Sequence, residues 1–172
     1  LITSWSSLHI HRKMLADQTT TLSPTGFETL DVGGWQVVVT DGNAVLPEGM
    51  THLPDHAFQD FISVVSVTFP RSLTSIGEYA FYSCSALSSV TFPAGLTSIG
   101  GLAFYGCSAL SSITLPANLT SIGNKVFEGC SSLSSVVLPE GLTHLPDRAF
   151  RNLTSLVSVA FPRSLASIGS GA

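Results

Sequence analysis

Leu73-Thr74-Ser75-Ile76-Gly77-Glu78-Tyr79-Ala80-Phe81-Tyr82-Ser83-Cys84-Ser85-Ala86-Leu87-Ser88-Ser89-Val90-Thr91-Phe92-Pro93-Ala94-Gly95 decides the fold, because residues 96–118 and 119–141 restate it at the same length. The unit of 23 residues recurs five times without slippage, at 50–72, 73–95, 96–118, 119–141 and 142–164. Its landmarks are Phe58, Phe81, Phe104, Phe127 and Phe150, with Pro70, Pro93, Pro116, Pro139 and Pro162 at a second fixed place. One apolar anchor and one fixed turn per unit, repeated in register, describe a solenoid of stacked coils. Residues 165–172 begin a sixth unit, and with Leu1 as the first residue the chain reads as a piece of a longer protein.

Within a unit, Ser89-Val90-Thr91-Phe92 alternates polar and apolar residues, which at a strand's two-residue period sends Val90 and Phe92 inward and Ser89 and Thr91 outward. Pro93 ends that strand, since proline has no amide to donate to a ladder. Leu73 to Ile76 is a second short extended stretch. Gly77, Gly100, Gly123 and Gly169 follow it, with Pro54 and Pro146 in two other copies, and both residue types mark a turn. From Glu78 to Cys84 the apolar residues Ala80, Phe81 and Cys84 fall three or four apart, which predicts a short helix held only by packing. The expected architecture is an α/β repeat solenoid, with a parallel sheet on one face and short helical or 3-10 segments on the other.

Composition fits this reading. The chain has 172 residues, of which 44% are hydrophobic and 10% charged, so it buries a continuous core rather than staying disordered. A net charge of -4 with only seven scattered Lys and Arg argues against nucleic acid, which requires clustered cations. No run of about 18 apolar residues is present, so this segment does not insert in a membrane.

Residues 73–95 closely resemble the BspA-like class of leucine-rich repeat, whose pattern is L-x-x-I-x-x-x-A-F-x-x-C-x-x-L-x-x-I-x-L-P. Period, Ala-Phe pair, Cys and Pro coincide over residues 50–172, while the unit at 50 departs most, with Phe61 in the Cys place and Val64 in the Leu place. The resemblance implies a leucine-rich-repeat solenoid that binds a protein or glycan ligand rather than catalysing a reaction; no cofactor is expected, and the chain is expected to be a monomer. It leans towards the cell surface or secretion, and the sequence alone leaves the compartment open.

Residues 27–49 fit the same frame through Phe27, Leu30, Trp35, Val38, Leu46 and Pro47, which makes them a degenerate capping repeat; alternatively Val37 to Asn43 forms a hairpin turning at Asp41-Gly42. Residues 1–26 carry no repeat and are unassigned, with a helix expected near Trp5 to Asp17. LPEGMTHLPDHAFQDF at 46 is nearly restated at 138, a separation of 92 residues or four units, so blocks of four were duplicated together.

Several residues invite chemistry. Cys84, Cys107 and Cys130 are spaced by the repeat itself, at a place where Phe61 and Leu153 also occur, so they read as buried packing thiols and not as metal ligands or disulfides. His52, His56 and His144 have carboxylate neighbours at Asp55 and Asp147, but His52 and His144 occupy the site of Ser75, Ser98 and Ser121 and no nucleophile accompanies them, so no catalytic set is assigned. No metal or catalytic motif stands in the chain.

Binding surfaces are better supported. Outward strand positions form two ladders: Ser66, Ser89, Ser112, Ser135 and Ser158, beside Thr68, Thr91, Thr114, Val137 and Ala160. A rival edge carries Tyr79, Tyr82 and Tyr105 on adjacent coils. Two further readings remain: a structural or ice-facing solenoid built on the Thr51, Thr74, Thr97, Thr120 and Thr143 ladder, and the sensing part of a larger receptor or enzyme.

Overall fold

In the computed structural model, which describes residues 20–22 and 27–172, the repeats wind into a three-sided β-solenoid. It opens with β1 (Thr20–Leu22), β2 (Phe27–Val32), β3 (Trp35–Thr40) and β4 (Asn43–Val45), joined antiparallel in that order. Thr40 pairs with Asn43 around Asp41 (φ 50°) and Gly42 (φ 79°), the positive-φ pair that a tight hairpin turn demands. The helix expected near Trp5 to Asp17 lies outside the described residues.

From β4 onward the pairing is parallel. The first face stacks β6 (Ser66–Thr68), β8 (Ser89–Thr91) and β10 (Ser112–Thr114) on β4, and β14 (Ser158–Ala160) on β12 (Ser135–Val137). Each strand is offset from the previous by one unit, so Ser66 lies against Ser89 and Ser89 against Ser112. The second face stacks β5 (His52–Leu53), β7 (Ser75–Ile76), β9 (Ser98–Ile99) and β11 (Ser121–Ile122), with β13 (His144–Leu145) and β15 (Ser167–Ile168) apart. Pro146 accounts for that break. Gly77, Gly100, Gly123 and Gly169 each donate their amide to the coil before, at 2.7 to 2.9 Å, and proline has none to give.

The third face corrects the expectation of a helix: no α or 3-10 helix is present among the described residues, and 78–83 is a run of turns. A helix would direct each amide to the carbonyl four residues back. Here Tyr79, Phe81 and Ser83 donate instead to Gly101, Ala103 and Tyr105 of the next coil, at 3.0, 2.7 and 2.7 Å. Between them Tyr82 and Cys84 bond three residues back, to Tyr79 and Phe81. This alternation requires left-handed backbone at two sites per unit, seen at Tyr79 (φ 56°) and Ser83 (φ 58°). Ala80, Phe81 and Cys84 are nevertheless all buried, so the apolar spacing that suggested a helix is met by turns.

The glycines that close the second strand are also explained by stacking. Gly100 does not adopt positive φ; a Cβ there would lie 2.6 Å from Glu78 N and 2.7 Å from Gly77 C. Coil contact, and not turn geometry, excludes a side chain.

Inside, Phe58, Phe81, Phe104, Phe127 and Phe150 stack, with neighbouring ring centres 5.1 to 6.0 Å apart. Phe69 and Phe92 meet Phe81 and Phe104 edge-on at 6.0 and 5.8 Å. Leu, Ile and Val of every unit complete one core that runs from Leu30 to Phe150.

Candidate functional site

Strand alternation puts Val67, Val90, Ile113 and Val136 into the core and turns the flanking residues outward. The first face therefore carries two straight rows. Ser66 is half-buried, while Ser89, Ser112, Ser135 and Ser158 are exposed; beside them Thr68, Thr91, Thr114, Val137 and Ala160 are exposed as well. The pairing lengthens both rows beyond the repeats, since Asn43 lies against Ser66 and Val45 against Thr68, with Thr40 and Val38 next. Asn43 and Val45 occupy the matching places in the 27–49 frame, which is the signal that extends the surface.

Hydrogen bonding distinguishes this face from the other hydroxyl ladder. Thr74, Thr97 and Thr120 donate their hydroxyls to the backbone carbonyls of Thr51, Thr74 and Thr97, at 2.9, 3.0 and 3.3 Å. On the first face only Ser66 is engaged, donating to Asn43 Oδ1 at 2.5 Å, and no hydrogen bond within the described residues occupies the hydroxyls of Ser89, Ser112, Thr91 or Thr114. Those groups are free for a partner. At the flank of β6 and β8 lies an open depression of about 370 Å3, lined by Thr68, Phe69, Arg71, Thr91, Phe92 and Pro93 among others. Arg71 is a cation that the outward ladders alone do not reveal.

The tyrosines gather on the third face. Tyr82 and Tyr105 stack at 4.8 Å and 6°, Tyr79 leans on Tyr82 at 5.7 Å, and His56 stacks on Tyr79 at 4.9 Å. Burial, then the neighbouring Tyr105, Asp60 and Tyr79, pushes the Tyr82 phenol above its usual range. Glu128 continues the Tyr82–Tyr105 column; it is buried, pairs with Arg151 at 3.4 Å and leaves Oε2 without a partner.

The matching geometry of every coil corresponds to a known repeat: the family model of the BspA type leucine rich repeat region matches residues 51–172 in 6 copies. The chain belongs to the BspA-type leucine-rich repeat family. Among solved structures, a T. pallidum leucine rich repeat protein superposes with TM-score 0.66 at 26% identity, covering 88% of this chain and 83% of that one. A leucine rich cell surface protein from Faecalibacterium prausnitzii superposes with TM-score 0.67 at 26% identity, covering 88% of this chain and 45% of that one. This chain thus spans less than half of the Faecalibacterium protein. No match is found among curated protein sequences.

The remaining chemical candidates of this BspA-type solenoid have structural surroundings. The thiols of Cys84, Cys107 and Cys130 are buried and point at the carbonyls of Phe58, Phe81 and Phe104, at 2.9, 3.1 and 3.1 Å. Burial pushes those of Cys84 and Cys130 up to about 12. His52 and His144 are exposed and hydrogen-bond Ser75 and Ser167 on the next coil, at 2.8 and 2.7 Å. Among the described residues no three His, Cys, Asp or Glu converge on a metal position, and no helix is long and apolar enough to cross a membrane.

Proposed function

We propose that this chain is a non-enzymatic interaction module that holds a macromolecular partner, protein or glycan, on the first face of the solenoid. One observation carries the reading: Ser89, Ser112, Thr91 and Thr114 of that face have unengaged hydroxyls at a fixed spacing, whereas Thr74, Thr97 and Thr120 of the second ladder donate theirs to carbonyls of the preceding coil. Rigid strands hold those groups in place, so little conformational freedom is lost on binding. Apolar contact comes from exposed Val45 and Val137 at either side of the threonines, and Arg71 adds a charge for orientation. Proteins built from such repeats are typically interaction modules, and the structural neighbour from Faecalibacterium is a cell surface protein, which supports an adhesive role at a surface.

The test uses a photo-crosslinking residue at Ser112 or, as control, at Thr97. Each form is incubated with extracellular and cytosolic extracts and the products are identified by mass. The reading expects one recurrent partner from position 112 that is absent from position 97 and lost when Ser89 and Thr114 are replaced by Arg. Equal products from both positions, or none above the Arg-substituted control, would refute it.

A further inference from the structure

All the tyrosines of the chain, Tyr79, Tyr82 and Tyr105, stand on the turn face of two neighbouring coils. Tyr82 and Tyr105 hold the same place in consecutive units, so stacking of the coils lays one ring on the other. Their ring centres are 4.8 Å apart and their planes differ by 6°. Main-chain bonds on either side of Tyr82 fix the pair: Phe81 N donates to Ala103 O and Ser83 N to Tyr105 O, each at 2.7 Å. Both side chains are half-buried and reach solvent, and no hydrogen bond within the described residues engages either hydroxyl. Buried Phe81 and Phe104 stack in the same manner at 5.1 Å, so what Tyr82 and Tyr105 add is two accessible phenols in face-to-face contact.

We propose that Tyr82 and Tyr105 are an oxidative cross-linking site, at which a one-electron oxidant joins two coils of the solenoid through a dityrosine bond. The oxidant is of the class that peroxide-driven haem enzymes or photo-oxidised metal complexes supply. Two equivalents of it each take one electron from a phenol, and each phenol loses its hydroxyl proton to water. The two phenoxyl radicals pair at ring carbons beside the oxygens, forming one Cε–Cε bond. The hydrogens on those two carbons then leave as protons and the two oxygens are reprotonated, which restores both aromatic rings. Two electrons and two protons are lost in all.

Geometry selects this pair from the cluster. Coupling of phenoxyl radicals is favoured by overlap of the ring faces, which Tyr82 and Tyr105 already have. Tyr79 is tilted by 48° from Tyr82 at 5.7 Å, and its own face is covered by His56, stacked at 4.9 Å and 9°. The thiols of Cys84, Cys107 and Cys130, which could otherwise reduce a phenoxyl radical, are buried and directed at main-chain carbonyls. Because the two rings are held in contact, coupling within a chain needs no diffusion and outruns coupling between chains. The product closes a loop between positions 82 and 105 that thiol reductants do not open, and it restricts the unfolded chain as a disulfide does. The outward rows of the first face take no part in it.

Photo-oxidation of the full 172-residue chain with ruthenium trisbipyridyl and persulfate tests the proposal, with products read by dityrosine fluorescence, mass and chymotryptic mapping. The expected product is a monomer two hydrogens lighter, with positions 82 and 105 in one linked peptide pair and a yield per chain that does not change on dilution. Tyr82→Phe and Tyr105→Phe chains, folded by circular dichroism, should each lose this product, and Tyr79→Phe should keep it. The cross-linked chain should need more urea to unfold. Intrachain dityrosine retained in Tyr82→Phe or Tyr105→Phe overturns the proposal, and so does a bond formed mainly through Tyr79 or between two chains. An equal yield from the chain unfolded in urea also overturns it, since the link would then owe nothing to the stack.

Discussion

Gly100→Ala and Gly95→Ala are the same chemical change five residues apart, and the structure predicts effects of opposite sign. At Gly100 the added methyl meets only backbone: Glu78 N at 2.6 Å, Gly77 C at 2.7 Å and Gly77 O at 2.8 Å. Ordinary contact begins near 3.4 Å. The coils must therefore part by roughly 0.7 Å, and the bond from Gly100 N to Ile76 O stretches from 2.8 Å past the useful range. Overpacking of this kind costs about 1 to 3 kcal/mol, and a lost ladder bond adds about 1 kcal/mol, for a total of about 2 to 4 kcal/mol. At Gly95 the nearest atom to the methyl is Arg71 O at 3.7 Å and φ is not positive, so the site accepts alanine. The smaller entropy of the unfolded chain then gains about 0.4 to 1 kcal/mol. Urea unfolding followed by circular dichroism measures both against wild type. If Gly100→Ala falls within about 0.5 kcal/mol of wild type, stacking is not what excludes a side chain there, and the account of the second strand's end fails.

Phe104→Ala removes a fully buried ring flanked by Phe81 and Phe127 at 5.1 and 5.6 Å and should cost about 3 to 5 kcal/mol in the same assay. Ser83→Gly relieves left-handed backbone at φ 58°, where two other units already have Gly106 and Gly129, and should stabilise by about 0.5 to 1 kcal/mol, while Gly106→Ala should lose about 1 kcal/mol. The Cys84 and Cys130 thiols, raised from 9.0 to about 12 by burial, stay protonated in the folded chain after the unfolded chain has ionised. Their stabilisation is complete below pH 9.0 and is lost as pH rises towards about 12, so the urea midpoint should fall faster over that window in wild type than in a Cys84→Ala/Cys130→Ala chain. Equal slopes would show that the thiols do not contribute.

The winding was legible because period and burial coincide. Phe at the ninth place of every unit has an equivalent on the coil above, and Val90 with Phe92 alternates against Ser89 and Thr91, so both the spine and the outward rows follow from counting. The third face was not, since Ala80, Phe81 and Cys84 present the same spacing to a helix and to linked turns. What decides between them is the destination of the Phe81 amide, and only the neighbouring coil supplies Ala103 O. Gly100 does precede the turns that begin at residue 101, but the reason for its missing side chain was not legible, since a glycine needed for φ and a glycine needed for contact are one letter in a sequence.

The hydroxyl ladders carry the same lesson to the surface. Thr97 and Ser112 recur with equal regularity, yet Thr97 turns its proton to Thr74 O of the coil before, and Ser112 keeps its own. Regularity therefore locates a surface without saying whether it is available. In a solenoid every copy repeats the residues that stabilise it, so recognition has to come from positions that depart from the period. Arg71 and Arg163 stand where other units have Ala94, Ala117 and Glu140, and Lys125 and Arg148 stand where others have His56, Tyr79 and Leu102. These departures divide between the strand face and the turn face, so each face carries irregular side chains of its own.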